Sequence, residues 1–301
     1  MTAPRSEPAR RAAGDASAPT TKHGPGHFLD EVVRTVEEEL RFGLYARRPS
    51  REEVSPGPRR PLREALRADA HGPALIVELK HASPGHQEER LTTLPPDRFA
   101  HLCESAGASA LSVIPQPFAF GGSLEEFAKV TRATKLPVLF KDFIVDEAQI
   151  RAAALHGASG VLLLARLARA GSLHAPLPRL VEIAHEHRLE ALIEVHDPIE
   201  VPIALKSGAD ILGVNSRDLG TLELRPREAV RVLRTLRKDP RPLVAMSGVK
   251  GRAEVELYAR AGADAVLLGT AFSKAHDPSA FLRSLRAHHA PPSTPGGAPG
   301  P

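Results

Sequence analysis

The chain is poor in cysteine, in aromatic rings and in long apolar runs, and each shortage narrows what it can be. Cys103 is the only cysteine, so neither an internal disulfide nor a cysteine metal cluster can form. It reads as a small buried residue on a helix, and the lack of disulfides fits a reducing cytoplasm. Aromatic residues make up 4% of the chain, and the net charge is only +4. With its arginines spread along the chain, a nucleic-acid surface is not expected. The longest apolar stretch, near Val161–Leu164, is far too short to span a bilayer, so no membrane partner is expected either. The 14 histidines are scattered without ligand spacing, and no metal site is expected. Residues Met1–Gly26 and Ala290–Pro301 have the composition of disordered tails, and the first lacks the apolar centre of a secretory signal.

What is present suits a large globular core: 301 residues, 42% hydrophobic and 25% charged. Short apolar runs recur at Ala74–Lys80, Ser109–Ile114, Pro137–Lys141, Gly160–Ala165, Glu190–Val195, Asp210–Asn215, Pro242–Ser247 and Asp264–Gly269. They are spaced mostly by about 20 to 35 residues, the length that a strand, a helix and a return need. Four helical stretches end alike, at Gly107, Gly157, Gly208 and Gly262, each followed by alanine and then an apolar run. Glycine there accepts the left-handed conformation that closes a helix. Eight such units predict a (β/α)8 TIM barrel over residues 27–289. The rival, a doubly wound open sheet, would want a glycine fingerprint after its first strand, and none follows Lys80. Before the barrel, the spacing of Phe28, Val32, Val36, Leu40 and Leu44 predicts a helix over Phe28–Ala46, and Pro61–Ala70 a second one. Both belong to an N-terminal helical extension packed on the barrel.

A barrel carries its chemistry at the C-terminal ends of its strands. The first run ends in Glu78 and Lys80, which share a face because strand side chains alternate. Two opposite charges closing a strand that is apolar on both faces cost desolvation unless they pair or meet a ligand. Other runs end in Lys141, in Glu194 and in Asn215, and Arg217 follows. The last two end in Ser247-Gly248 and Gly269-Thr270, small residues of the kind that hold phosphate through backbone N–H groups.

These segments together resemble indole-3-glycerol-phosphate synthase of tryptophan biosynthesis, from about Phe28 to Ala287. The resemblance is carried by Glu78-Leu79-Lys80-His81-Ala82-Ser83-Pro84, by Gly107–Val113 and by Leu136–Asp146. It continues in order through Glu194-Val195-His196-Asp197, Asn215–Leu219 and Ser247-Gly248-Val249. It implies a small phosphorylated substrate, 1-(2-carboxyphenylamino)-1-deoxyribulose 5-phosphate, closed to an indole with release of CO2 and water. By similarity Lys141 is the general acid at the ketone oxygen, and Lys80 holds the carboxylate or serves as acid in dehydration. Glu194, with Glu78 as second candidate, takes protons, and Asn215 meets substrate hydroxyls. Arg217 would support the acidic groups, Ser83 would be a further substrate-binding residue, and Ser247, Gly248, Gly269 and Thr270 would hold the phosphate. Phe120 and Phe143 either line a slot for the anthranilate ring or pack in the core. The chemistry calls for no metal or organic cofactor, and it implies a cytoplasmic enzyme with other tryptophan-pathway enzymes as neighbours.

Three departures stand out. Met246 occupies the position where the family usually has glutamate before Ser-Gly, and losing that carboxylate should push nearby cations towards lower pKa. Ser83-Pro84-Gly85-His86-Gln87 and Pro115-Gln116 alter two loops expected to cover the mouth. Two alternatives therefore stand at this point: a divergent paralogue acting on a related phosphorylated amino-sugar, and a barrel that binds ligand without turnover.

Overall fold

The computed structural model describes residues 28–47, 61–69, 71–82 and 94–286. Ser83, the loop after the first strand and both predicted tails lie outside the described residues. Helix α1 (Phe28–Arg41) and the single turn α2 (Leu62–Ala65) precede the first strand, β1 (Ala74–Leu79). Then follow α3 (Pro96–Ser105), β2 (Ala110–Val113), α4 (Pro117–Phe120), α5 (Leu124–Ala133), β3 (Val138–Phe140) and α6 (Glu147–Leu155). The next units are β4 (Gly160–Leu164), α7 (Ala165–Ala170), α8 (Leu177–Glu186), β5 (Glu190–Val195), α9 (Val201–Leu205) and β6 (Ile211–Asn215). The chain ends with α10 (Pro226–Leu236), β7 (Leu243–Met246), α11 (Arg252–Ala261), β8 (Ala265–Leu268), α12 (Thr270–Ser273) and α13 (Pro278–Arg286).

All eight strands are parallel and pair in sequence order into a closed barrel. The last seam joins β8 to β1, from Ala74 opposite Ala265 to Val77 opposite Leu268. Helices sheathe the strands on one face and neighbouring strands fill the other, which is why the strands are apolar on both. Gly107, Gly157, Gly208 and Gly262 all have positive φ, as the repeated helix-closing pattern requires.

Side-chain alternation divides the apolar residues into two cores. Leu75, Val77, Phe140, Ile193, Val214, Ala245 and Val266 pack outward with Phe99 and Phe127 of the helices. Ile76, Leu139, Leu162, Leu192, Ile211, Val244 and Leu267 fill the inside of the barrel. Parity then puts Glu78, Lys141, Glu194, Asn215, Met246 and Gly269 on the inner face, at or just past the strand ends.

The N-terminal extension differs from its predicted form. The helix over Phe28–Ala46 breaks at Gly43, whose φ is 75°, and resumes as a single 3-10 turn, Leu44–Ala46. The break turns Tyr45 inward, where it is 4% exposed. The second helix is one turn, not the Pro61–Ala70 segment, because Asp69 and Gly72 close a two-way backbone bridge at 3.0 Å each. Leu62 and Leu66 are nonetheless fully buried against the inner core, and Arg63 pairs with Glu190 at 3.2 Å. Leu62→Ala is expected to cost about 2–5 kcal/mol of stability, read as a lower urea midpoint with KM preserved. An unchanged midpoint would show that α2 contributes no packing. Among the described residues, no helix is long and apolar enough to cross a membrane.

Candidate active site

The strand ends open into a cavity of about 380 Å³. Glu78, Lys80, Phe120, Lys141, Phe143, Glu194, Asn215, Arg217, Ser247, Gly248, Gly269 and Thr270 all line it. Every expected site residue that the structure describes is thus brought to one mouth; Ser83 alone lies outside the described residues.

The charges form an ordered set. Glu78 stands between the two lysines, with Oε1 3.2 Å from Lys80 Nζ and Oε2 3.4 Å from Lys141 Nζ. Burial alone would raise the Glu78 pKa, but Lys141 and Lys80 outweigh it and hold the carboxyl below its usual range. Burial and the nearby cations Lys141 and Arg217 leave Lys80 below the usual lysine value despite Glu78. Burial also opposes the charge of Lys141, yet Glu78 and Glu194 hold its pKa above the ordinary value. The two lysines thus shift in opposite directions, because two carboxylates, Glu78 and Glu194, face Lys141.

Asn215 secures the far side. Its Nδ2 donates to Glu194 Oε1 at 2.9 Å, and its Oδ1 accepts the Arg217 backbone N–H at 3.0 Å. Arg217 in turn donates from its guanidinium to the Leu222 carbonyl at 2.8 Å, so the loop after β6 is tied to the strand end it follows.

Phe120 and Phe143 form an apolar wall, their rings stacked with centroids 6.1 Å apart. Phe28 of α1 meets Phe143 edge-on at 6.2 Å, so the N-terminal extension buttresses the wall from behind. The two phenylalanines both line the cavity and pack in the inner core.

Beneath the wall, Tyr45 donates its hydroxyl to Asp142 Oδ2 at 2.7 Å. Gln116 accepts the Ala119 backbone N–H at 2.6 Å and donates to Glu39 Oε1 at 3.2 Å. Gln116 is fully buried; it anchors α4 to α1 and does not belong to a loop covering the mouth. Burial, aided by neighbouring Asp142, pushes the Glu39 carboxyl up to about 7.

Ser247 and Gly248 have φ of 65° and 73°. Two successive positive φ values make a tight turn after β7, and a turn can aim backbone N–H groups at an anion. The Ser247 carbonyl accepts the Ser216 hydroxyl at 3.1 Å, which fixes the turn. A Cβ on Gly248 would sit 3.1 Å from that same Ser216 Oγ. Opposite, Gly269 opens the short helix α12, and a Cβ on it would lie 3.1 Å from Glu78 Oε1 and 3.2 Å from Lys80 Cε. Its missing side chain makes room for the charged pair.

Sequence reasoning missed Asp142, Lys250 and Lys274, which line the same cavity. Lys274 stands one helical turn beyond Thr270, and that spacing after the last strand was the available signal. Met246 is 1% exposed, and a Cβ on Gly213 would run into its terminal methyl. The methionine is therefore seated over a glycine. Among the described residues, no group of three or more His, Cys, Asp or Glu side chains is arranged to hold a metal ion.

Comparison with known proteins places the chain in a family. A solved thiamine phosphate pyrophosphorylase from Pyrococcus furiosus superposes with a TM-score of 0.52, covering 75% of this chain and 96% of its own, at 19% identity. That likeness shows the barrel alone. An indole-3-glycerol phosphate synthase from Campylobacter hominis is 37% identical over 267 residues, covering 86% of this chain and 99% of the relative. Its counterpart from Thermococcus kodakarensis is 39% identical over 214 residues, covering 70% of this chain and 91% of the relative. The sequence profile of indole-3-glycerol phosphate synthase matches residues 31–285. The chain belongs to the indole-3-glycerol phosphate synthase family, whose members are decarboxylating lyases.

Proposed function

We propose that Lys141, Lys80, Glu194, Glu78 and Asn215 carry the family's reaction in this chain. That reaction is the ring closure of 1-(2-carboxyphenylamino)-1-deoxyribulose 5-phosphate to indole-3-glycerol phosphate, CO2 and water. The observation that carries the proposal is one buried carboxylate, Glu78, shared by two lysines across from Glu194 in a single cavity. Lys141, held cationic, gives a proton to the ketone oxygen as the carboxylate-bearing ring carbon bonds to the ketone carbon. With CO2 lost, the new hydroxyl leaves as water and needs a second proton. Lys80, whose pKa is lowered, gives up a proton more readily and suits that dehydration step. Glu194 takes the proton released as the indole becomes aromatic. Glu78 keeps the two ammonium groups apart and aimed, and Asn215 orients Glu194 while meeting substrate hydroxyls.

The substrate's ring enters beside Phe120 and Phe143, and its carboxylate meets Lys80 and Arg217. Its phosphate rests on the backbone of Ser247, Gly248, Gly269 and Thr270, with Lys250 and Lys274 supplying charge. Purified protein mixed with the substrate is expected to develop indole fluorescence. Tight binding of a product analogue without fluorescence would instead make this a binding barrel, and no binding would sink both readings. We also place the chain in the cytoplasm beside other tryptophan-pathway enzymes, on the reaction class alone; fractionation that follows the activity tests this.

A further inference from the structure

His196, just past β5, is not used by the ring-closure roles above, yet it is buried in the row of charges behind them. Its side chain is 2% exposed, with Nε2 2.9 Å from Glu194 Oε1 and Nδ1 3.2 Å from Glu200 Oε2. Glu200 Oε2 also accepts the His196 backbone N–H at 2.7 Å, and its Oε1 accepts Arg166 Nε at 2.7 Å. Arg166 reaches on to Asp197 at 3.2 Å and Asp218 at 3.4 Å. Charges thus alternate in a line from α7 and the segments after β5 and β6 to the catalytic mouth.

A neutral imidazole has one N–H and one lone pair. Here both ring nitrogens face carboxylate oxygens, so a neutral ring would set its lone pair against one of them. An imidazolium gives both carboxylates an attractive charge, through a hydrogen bond to Glu200 and an ion-pair contact to Glu194. On the other side, Glu194 Oε1 accepts from Asn215 and lies 2.9 Å from His196 Nε2, while neither Glu194 Oε2 nor His196 Nε2 has a hydrogen-bond partner. We propose that His196 is a positioning residue, an imidazolium that turns one Glu194 oxygen away from the cavity and leaves the other ionised and free for substrate.

This rests on Glu194 being the proton acceptor. The groups facing Glu194 are His196, Asn215 from β6 and Lys141 from the end of β3, the last shared with Glu78. Those facing His196 are Glu194 and Glu200, backed by Arg166, Asp197 and Asp218. Burial works against the charge on His196, but its two carboxylates raise it to about 9. Burial would raise Glu194, and His196, Lys141 and Asn215 together hold it below its usual range. A base held down in this way stays ionised to lower pH, so removing the imidazolium must move its protonation to higher pH.

In the His196→Gln variant, the acid limb of the pH–kcat/KM profile is expected to move to higher pH. The loss relative to the unmodified protein should be on the order of tenfold greater at the acid end than at the alkaline end, with KM nearly constant. In the unmodified protein, 15N NMR is expected to show both His196 ring nitrogens protonated at neutral pH. An unmoved acid limb, or a neutral His196 ring at pH 7, overturns the proposal. Should the variant fail to fold, the ring measurement on the native protein decides by itself. Glu194→Gln separates the two readings: normal turnover there removes the acceptor role itself. If that variant is inactive and the His196→Gln limb has not moved, only the role of His196 falls.

Discussion

Lys141→Met is expected to lower kcat by about 10²–10⁴-fold, the range that a positioned general acid contributes, while the thermal midpoint stays nearly where it was. Methionine nearly matches the lysine stem in length, so little packing is lost. Glu78 keeps Lys80 at 3.2 Å, so its carboxylate is not stranded without a partner. The repulsion that Lys141 exerts on Lys80 disappears as well, which offsets the lost pairing. Stopped-flow indole fluorescence and a thermal scan on the same preparation check both halves. Near-normal turnover would show that Lys141 is not the acid. A large fall in midpoint would show that its pairing with Glu78 is structural before it is chemical.

Gly269→Val is expected to lower kcat on the order of a hundredfold, although position 269 lies outside the charge set. An added Cβ would already crowd Glu78 Oε1 at 3.1 Å, Lys80 Cε at 3.2 Å and Glu78 Cβ at 3.3 Å, and valine adds two methyls beyond it. Lys80 can swing away, but Glu78 is fixed by burial and by both lysines. Displacement of a reacting group by about 1 Å costs on the order of 10² in rate. The phosphate contact through backbone is expected to weaken less, so the variant should show a larger change in kcat than in KM. A change in KM alone would make Gly269 a phosphate residue and nothing more.

The barrel was legible because its signals are local and repeated: apolar runs at regular spacing, and a glycine before each of four strands. The mouth was legible for the same reason, since alternation places Glu78, Lys141, Glu194 and Asn215 on one face once the strands are known. What escaped was set by distance in sequence. Nothing near Tyr45 reveals that a break at Gly43 turns it towards Asp142, far along the chain. His196 looked like part of a motif, and only Glu194 and Glu200 around one ring show what it holds. The seating of Met246 over Gly213 depends on the register between β6 and β7, with Asn215 opposite Met246, which no local pattern encodes.

The seam between β8 and β1 has a kinetic consequence. Glu78 and Lys80 come early in the chain, whereas the glycine that leaves them room follows its last strand. A partly formed barrel that lacks β8 leaves the β1 edge open, so the pair is not yet enclosed as it is in the finished barrel, however much helix is already present. Contacts so remote in sequence form slowly, because loop entropy is lost before they reward it. During refolding, recovery of turnover should therefore lag behind recovery of helical signal, and the return of indole fluorescence would time the moment the barrel closes.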